Sequence, residues 1–60
     1  MITRIYLKEN PKERIDYPNC YPILNIVQNS QDWLIIQDYK TNLSNAHYIL
    51  DIISRVEFKP

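Results

Sequence analysis

Sixty residues with seven basic and seven acidic side chains make one domain, and a chain this short hides only roughly 60% of the surface its unfolded form exposes. Hydrophobic content of 45%, with Ile, Tyr, Val, Phe and Trp prominent, is too rich for an intrinsically disordered segment and favours strands over helices. The charges cancel, so no whole-molecule field draws the chain to nucleic acid or to an anionic membrane.

Cys20 is the single cysteine, which rules out an internal disulfide and favours a cytoplasmic setting. No apolar run approaches a membrane span and the N-terminus lacks the apolar core of a signal peptide, so no membrane partner is expected. Local charge is mildly uneven. Residues 1–14 carry Arg4, Lys8, Lys12 and Arg14 against Glu9 and Glu13, and residues 32–51 carry Asp32, Asp38 and Asp51 against Lys40.

Residues 2–7 alternate as a first strand, with Thr3, Ile5 and Leu7 on one side and Ile2, Arg4 and Tyr6 on the other. Residues 8–22 read as a long ordered loop, because Asn10-Pro11, Tyr17-Pro18 and Tyr21-Pro22 break any helix, with Ile15 and Tyr17 as a short paired piece inside it. The apolar runs 22–27 and 33–36 flank the polar tip 28–32 as a hairpin and are expected to supply the sheet's centre. Leu34 and Ile36 share a face; Trp33, Ile35, Gln37 and Tyr39 share the other.

Residues 43–53 admit two readings. Ser44 capping a helix with Ala46, Ile49, Leu50 and Ile53 on one face, and Leu43 stapled to Tyr48, is one; the preferred one is a short strand at 47–49 and a tight turn at 51–53. Residues 54–59 alternate as a last strand, Val56 and Phe58 inward and Arg55, Glu57 and Lys59 outward. The fold expected is one mainly β domain. The alternative is an α+β fold, an antiparallel sheet with one helix at 44–53.

This order of features resembles a Src-homology-3 (SH3)-type barrel: an opening strand with a tyrosine, Ile5-Tyr6; a long variable loop; an apolar strand, Ile23-Leu24-Asn25-Ile26-Val27; a polar tip; and Trp33. Asp51-Ile52-Ile53 and Arg55-Val56-Glu57-Phe58 stand where that family has a helical turn and a short final strand. The resemblance implies a small barrel of about five strands. Of the family's groove for proline-rich peptides, only Tyr6 and Trp33 carry over. Leu7 and Lys8 stand where a second aromatic is found, and Ile49 and Ile52 where a proline and a tyrosine are found.

Catalysis is not expected, since one histidine, one cysteine and no glycine-rich phosphate loop leave no converging acid, base and nucleophile. His47, Cys20 and Asp51 match no zinc spacing, so neither metal nor cofactor is expected. The aromatic-proline string 17–22, together with Tyr6 and Trp33, supplies rigid amphipathic rings, and Tyr6, Tyr17, Tyr21 and Trp33 are the candidate protein-binding residues. The expected function is a non-catalytic protein-interaction module, a small regulator or inhibitor of the sort a phage or mobile element encodes. Arg4, Lys8, Lys12 and Arg14 beside Tyr6 and Tyr17 are the residues of an alternative, nucleic-acid-binding barrel. A homo-oligomer paired through a strand edge at Ile23 or Ile35 is the third reading.

Overall fold

The computed structural model describes residues 1–60. Six strands follow in chain order: β1 (Ile2–Leu7), β2 (Asn10–Pro18), β3 (Cys20–Asn25), β4 (Trp33–Asp38), β5 (Ser44–Ile49) and β6 (Ile53–Lys59), with one 3-10 turn, Leu50–Ile52, before the last. They form two three-stranded antiparallel sheets, ordered β2-β1-β6 and β3-β4-β5. No ladder joins them into a closed barrel. No helix is long and apolar enough to cross a membrane.

β1 has the expected bounds and faces. It is the centre of its sheet, with Thr3 opposite Tyr17 and Phe58 and Ile5 opposite Ile15 and Val56. Thr3 and Ile5 are fully buried, while Arg4 and Tyr6 stay on the outside.

The long loop expected at 8–22 is instead a two-residue turn, Lys8-Glu9, followed by β2 and the start of β3. Prolines are tolerated here because both strands are sheet edges. The Asn19 N–H donates to the Met1 carbonyl at 2.8 Å. Bonded pairs alternate along an antiparallel ladder, so Pro18, opposite Ile2, falls in a gap where no N–H is needed. On the second sheet the Tyr39 N–H donates to the Asn19 carbonyl at 3.0 Å, and the same alternation puts Pro22, opposite Ile36, in another gap.

Asn19 alone separates β2 from β3 and bends the chain from one sheet to the other, at φ 60°. Its N–H closes one ladder and its carbonyl the other. Beside the bend, the Thr3 hydroxyl donates to the Cys20 carbonyl at 2.7 Å, joining the sheets across the interior. The chain has no glycine, and its three left-handed residues are all asparagines, Asn19, Asn29 and Asn42, the side chain that bears this conformation best after glycine.

The core is small: Ile5, Cys20, Leu34, Ile36 and Ile53, edged by Leu7, Ile15, Tyr17, Ala46, Tyr48, Leu50 and Val56. Tyr17 and Tyr48 meet edge to face, with ring centres 6.3 Å apart at 71°, and their hydroxyls are hydrogen-bonded. Burial, then that bond, raises the Tyr48 pKa above the usual phenol value.

The hairpin is present as β3 and β4, but only β4 is central; β3 is an edge. Leu24 is 54% exposed, near the end of that edge, and Ile26 is 70% exposed beyond it. Apolarity alone thus overstated β3's share of the core.

The helix alternative at 44–53 is overturned. β5 pairs with β4, with Leu34 opposite Tyr48 and Ile36 opposite Ala46. Ala46 and Tyr48, two apart, pack on the core, while Leu43, the supposed staple, is exposed. Pairing with a central strand prevails over a helical period in so short a run. The turn lies at Leu50–Ile52, one residue earlier than read, and frees Ile53 to begin β6 in the core. Val56 faces inward as expected. Phe58 lies on the same side but, near the end of an edge strand, remains exposed.

Candidate interaction faces

With inner faces packed together, each sheet offers its other face to solvent, and the registers fix what each displays. On β3-β4-β5 the outer rungs are Tyr21 with Gln37, Ile23 with Ile35 and His47, and Asn25 with Trp33 and Ile49. Tyr21, Ile23, Trp33, Ile35 and Ile49 are all half-buried. These rungs contain no Asp, Glu, Lys or Arg. The Gln37 amide donates to the Tyr21 hydroxyl at 3.1 Å, holding that ring against the sheet.

Strand alternation produces this face: Leu34 and Ile36 turn into the core, so Trp33 and Ile35 must turn out. Its apolar character is the exception to the polar outer face usual for an antiparallel sheet. Beyond the face, exposed Ile26 and Val27 lead into the turn before β4.

The other outer face, on β2-β1-β6, differs chemically. Its rungs are Arg14-Tyr6-Arg55, Asp16-Arg4-Glu57 and Pro18-Ile2-Lys59. The Arg4 Nε donates to Asp16 Oδ1 at 2.8 Å, and Arg14 approaches the other Asp16 oxygen at 3.8 Å. The Tyr6 hydroxyl donates to Glu57 Oε1 at 2.8 Å, which also receives Arg55 at 3.2 Å. The Arg55 guanidinium lies over the Tyr6 ring, 4.4 Å from its centre. The bond from Arg4 lowers the Asp16 pKa, and the bond from Tyr6 lowers that of Glu57.

The four candidate protein-binding residues therefore divide. Tyr21 and Trp33 share the apolar face, Tyr6 belongs to the charged face, and Tyr17 points inward to Tyr48. Tyr6 and Trp33, the pair carried over from the peptide groove, stand on different sheets. Of the basic candidates, Arg4 and Arg14 lie on the charged face; Lys8 is in the turn before β2, and Lys12 lies in the irregular stretch before Arg14, where the register shifts. Arg55 and Lys59, which complete that face, were missed because they are some forty residues away in sequence. Only the antiparallel pairing of β6 with β1 brings them there.

Cys20 is buried and receives a hydrogen bond from the Asn45 amide at 3.1 Å. His47 is exposed on β5, and Asp51 lies in the 3-10 turn. Two shallow hollows flank Leu7 and Glu9, of about 140 and 230 Å³, one under the β1–β2 turn and one between that turn and Ile52. The chain matches no protein-family model, no curated protein and no solved structure.

Proposed function

We propose that this chain is a non-catalytic protein-interaction module that docks through the outer face of β3-β4-β5. The observation that carries it is the uncharged surface of Tyr21, Ile23, Trp33, Ile35 and Ile49, where a free-standing sheet would display polar side chains. Apolar faces of this kind mark interaction sites, and Trp and Tyr are the side chains that most often dominate binding energy. A small cytoplasmic regulator or inhibitor of phage or mobile-element origin is the role that fits a chain of this size and neutral charge. The SH3-like barrel is the architecture we infer. It is supported by β2 and β3 acting as two halves of one bent strand, which reduces six strands to five, and by the 3-10 turn before the last strand.

The test is co-purification with mass spectrometry, using the parent protein, Ile35→Glu and Trp33→Ala, each first shown to be folded. The parent is expected to retain a partner that both variants lose. Identical partner sets for all three proteins would exclude the apolar face.

A second reading, self-association, is favoured by β5. The expected edge at Ile35 does not exist, since β4 is central, and Ile23 is bonded toward β4 rather than outward. The Leu50 N–H donates to the Asp32 carbonyl, and alternation from there turns the backbone groups of His47 and Ile49 outward. β5 has neither proline nor charge to guard them. Light scattering across a concentration series is expected to show a rising mass if this edge pairs, and a constant monomer mass if it does not.

A further inference from the structure

The outer face of β2-β1-β6 holds Arg4, Arg14, Arg55 and Lys59 against Asp16 and Glu57, four cations less two anions. Because the whole chain is neutral, the remainder carries the opposite excess, with Lys8, Lys12 and Lys40 against Glu9, Glu13, Asp32, Asp38 and Asp51. The molecule thus carries a locally positive face although its net charge is zero. Only the folded register assembles the positive side, from residues at both ends of the chain.

Within that face the two carboxylates are committed. Asp16 serves Arg4 and Arg14, and Glu57 serves Tyr6 and Arg55. The Arg14 and Arg55 side chains nonetheless remain 58% and 61% exposed. They flank Tyr6 on neighbouring strands, roughly 10 Å apart at the usual strand spacing. Their forks suit phosphate oxygens. The Arg55 guanidinium is held over the Tyr6 ring, 4.4 Å from its centre, so the pair brings a cationic planar group and an aromatic ring together at one exposed spot. Aromatic and guanidinium planes of this kind receive unpaired bases, whereas an acidic peptide would make no use of them.

We propose that this face binds single-stranded nucleic acid, with Arg14, Arg55 and Lys59 on phosphates and a base stacked on the Arg55–Tyr6 pair. It is independent of the apolar face, so Ile35→Glu should leave it intact. Three phosphate contacts predict a slope of log affinity against log salt of about −2, or roughly a hundredfold loss from about 20 to about 200 mM NaCl.

Fluorescence anisotropy with a short labelled oligothymidylate tests the proposal. Arg14→Gln with Arg55→Gln, both exposed and therefore compatible with an unchanged urea midpoint, is expected to bind at least tenfold more weakly at low salt and to flatten the slope to about −0.7. An abasic oligomer of the same length is expected to bind at least about fivefold more weakly, from the lost stacking. No binding at low salt, undiminished binding by the double variant, equal binding of the abasic oligomer, or tighter binding of a polyglutamate peptide would each overturn it.

Discussion

Two apolar residues from the same hairpin, Ile36 and Leu24, are equals in sequence and opposites in the structure, so truncating each tests the architecture directly. Ile36 is 0% exposed on the central strand, opposite Pro22 and Ala46. Ile36→Ala removes three buried carbons, about 2.4 kcal/mol of transfer free energy, and the cavity brings the cost to about 3–4 kcal/mol. Leu24, 54% exposed, stakes less than half of the same transfer free energy and leaves no closed cavity, about 1 kcal/mol. A domain of this size is stable by only about 3–9 kcal/mol. Ile36→Ala should therefore lower Tm by about 12–30 °C, at about 4–8 °C per kcal/mol. Urea unfolding followed by the fluorescence of Trp33, the only tryptophan, gives both values. If Ile36→Ala proves unfolded outright, Ile36→Val, at about 1 kcal/mol, restores the comparison, with Leu24→Val nearly neutral. A cost for Leu24 equal to or above that for Ile36 would refute the placement of β3 at the edge.

Two further outcomes follow from the electrostatics and the backbone. Asp16, Glu57 and Asp38 have depressed pKa values, through bonds from Arg4, from Tyr6 and from the N–H groups of Thr41 and Lys40 respectively. A depressed pKa contributes stability that is complete above the unfolded value, about 4, and is lost as pH falls through the folded one. The urea midpoint should thus decline below about pH 4.5, and Glu57→Gln should make that decline shallower; a midpoint that climbs on acidification contradicts the assignment. At Asn19, substitution by Val forces a β-branched residue to φ 60° and should cost about 1–2 kcal/mol, whereas Asn19→Gly should be close to neutral. Calorimetry of the two variants decides it, and equal melting temperatures would deny the strain.

Strand character was legible wherever alternation met clear boundaries: β1 was found to the residue, and the two faces of β4 followed from Leu34 and Ile36. The strand at 10–18 was hidden by its prolines, because whether a proline forbids a strand depends on which amides the ladder uses, a property of the partner. The exposure of Leu24 and Ile26 was hidden because apolarity does not say which of two paired strands is central. Tyr21 and Trp33 stood among four aromatic candidates with Tyr6 and Tyr17, and which of these rings share a face depends on the strand register. The Arg14-Tyr6-Arg55 rung was not legible, since its third member arrives from the far end of the chain and pairing over that distance leaves no local trace.

The prolines of the bent strand act as stops on sliding. Moving β2 along β1, or β3 along β4, by a single residue would carry Pro18 or Pro22 from a gap into a slot that demands an amide hydrogen, and would turn the interior side chains outward. With no glycine to impose tight-turn geometry and only five apolar residues in the buried cluster, misalignment is penalised at the backbone itself. A small protein with little interior to spare can thereby hold one alignment over its neighbours.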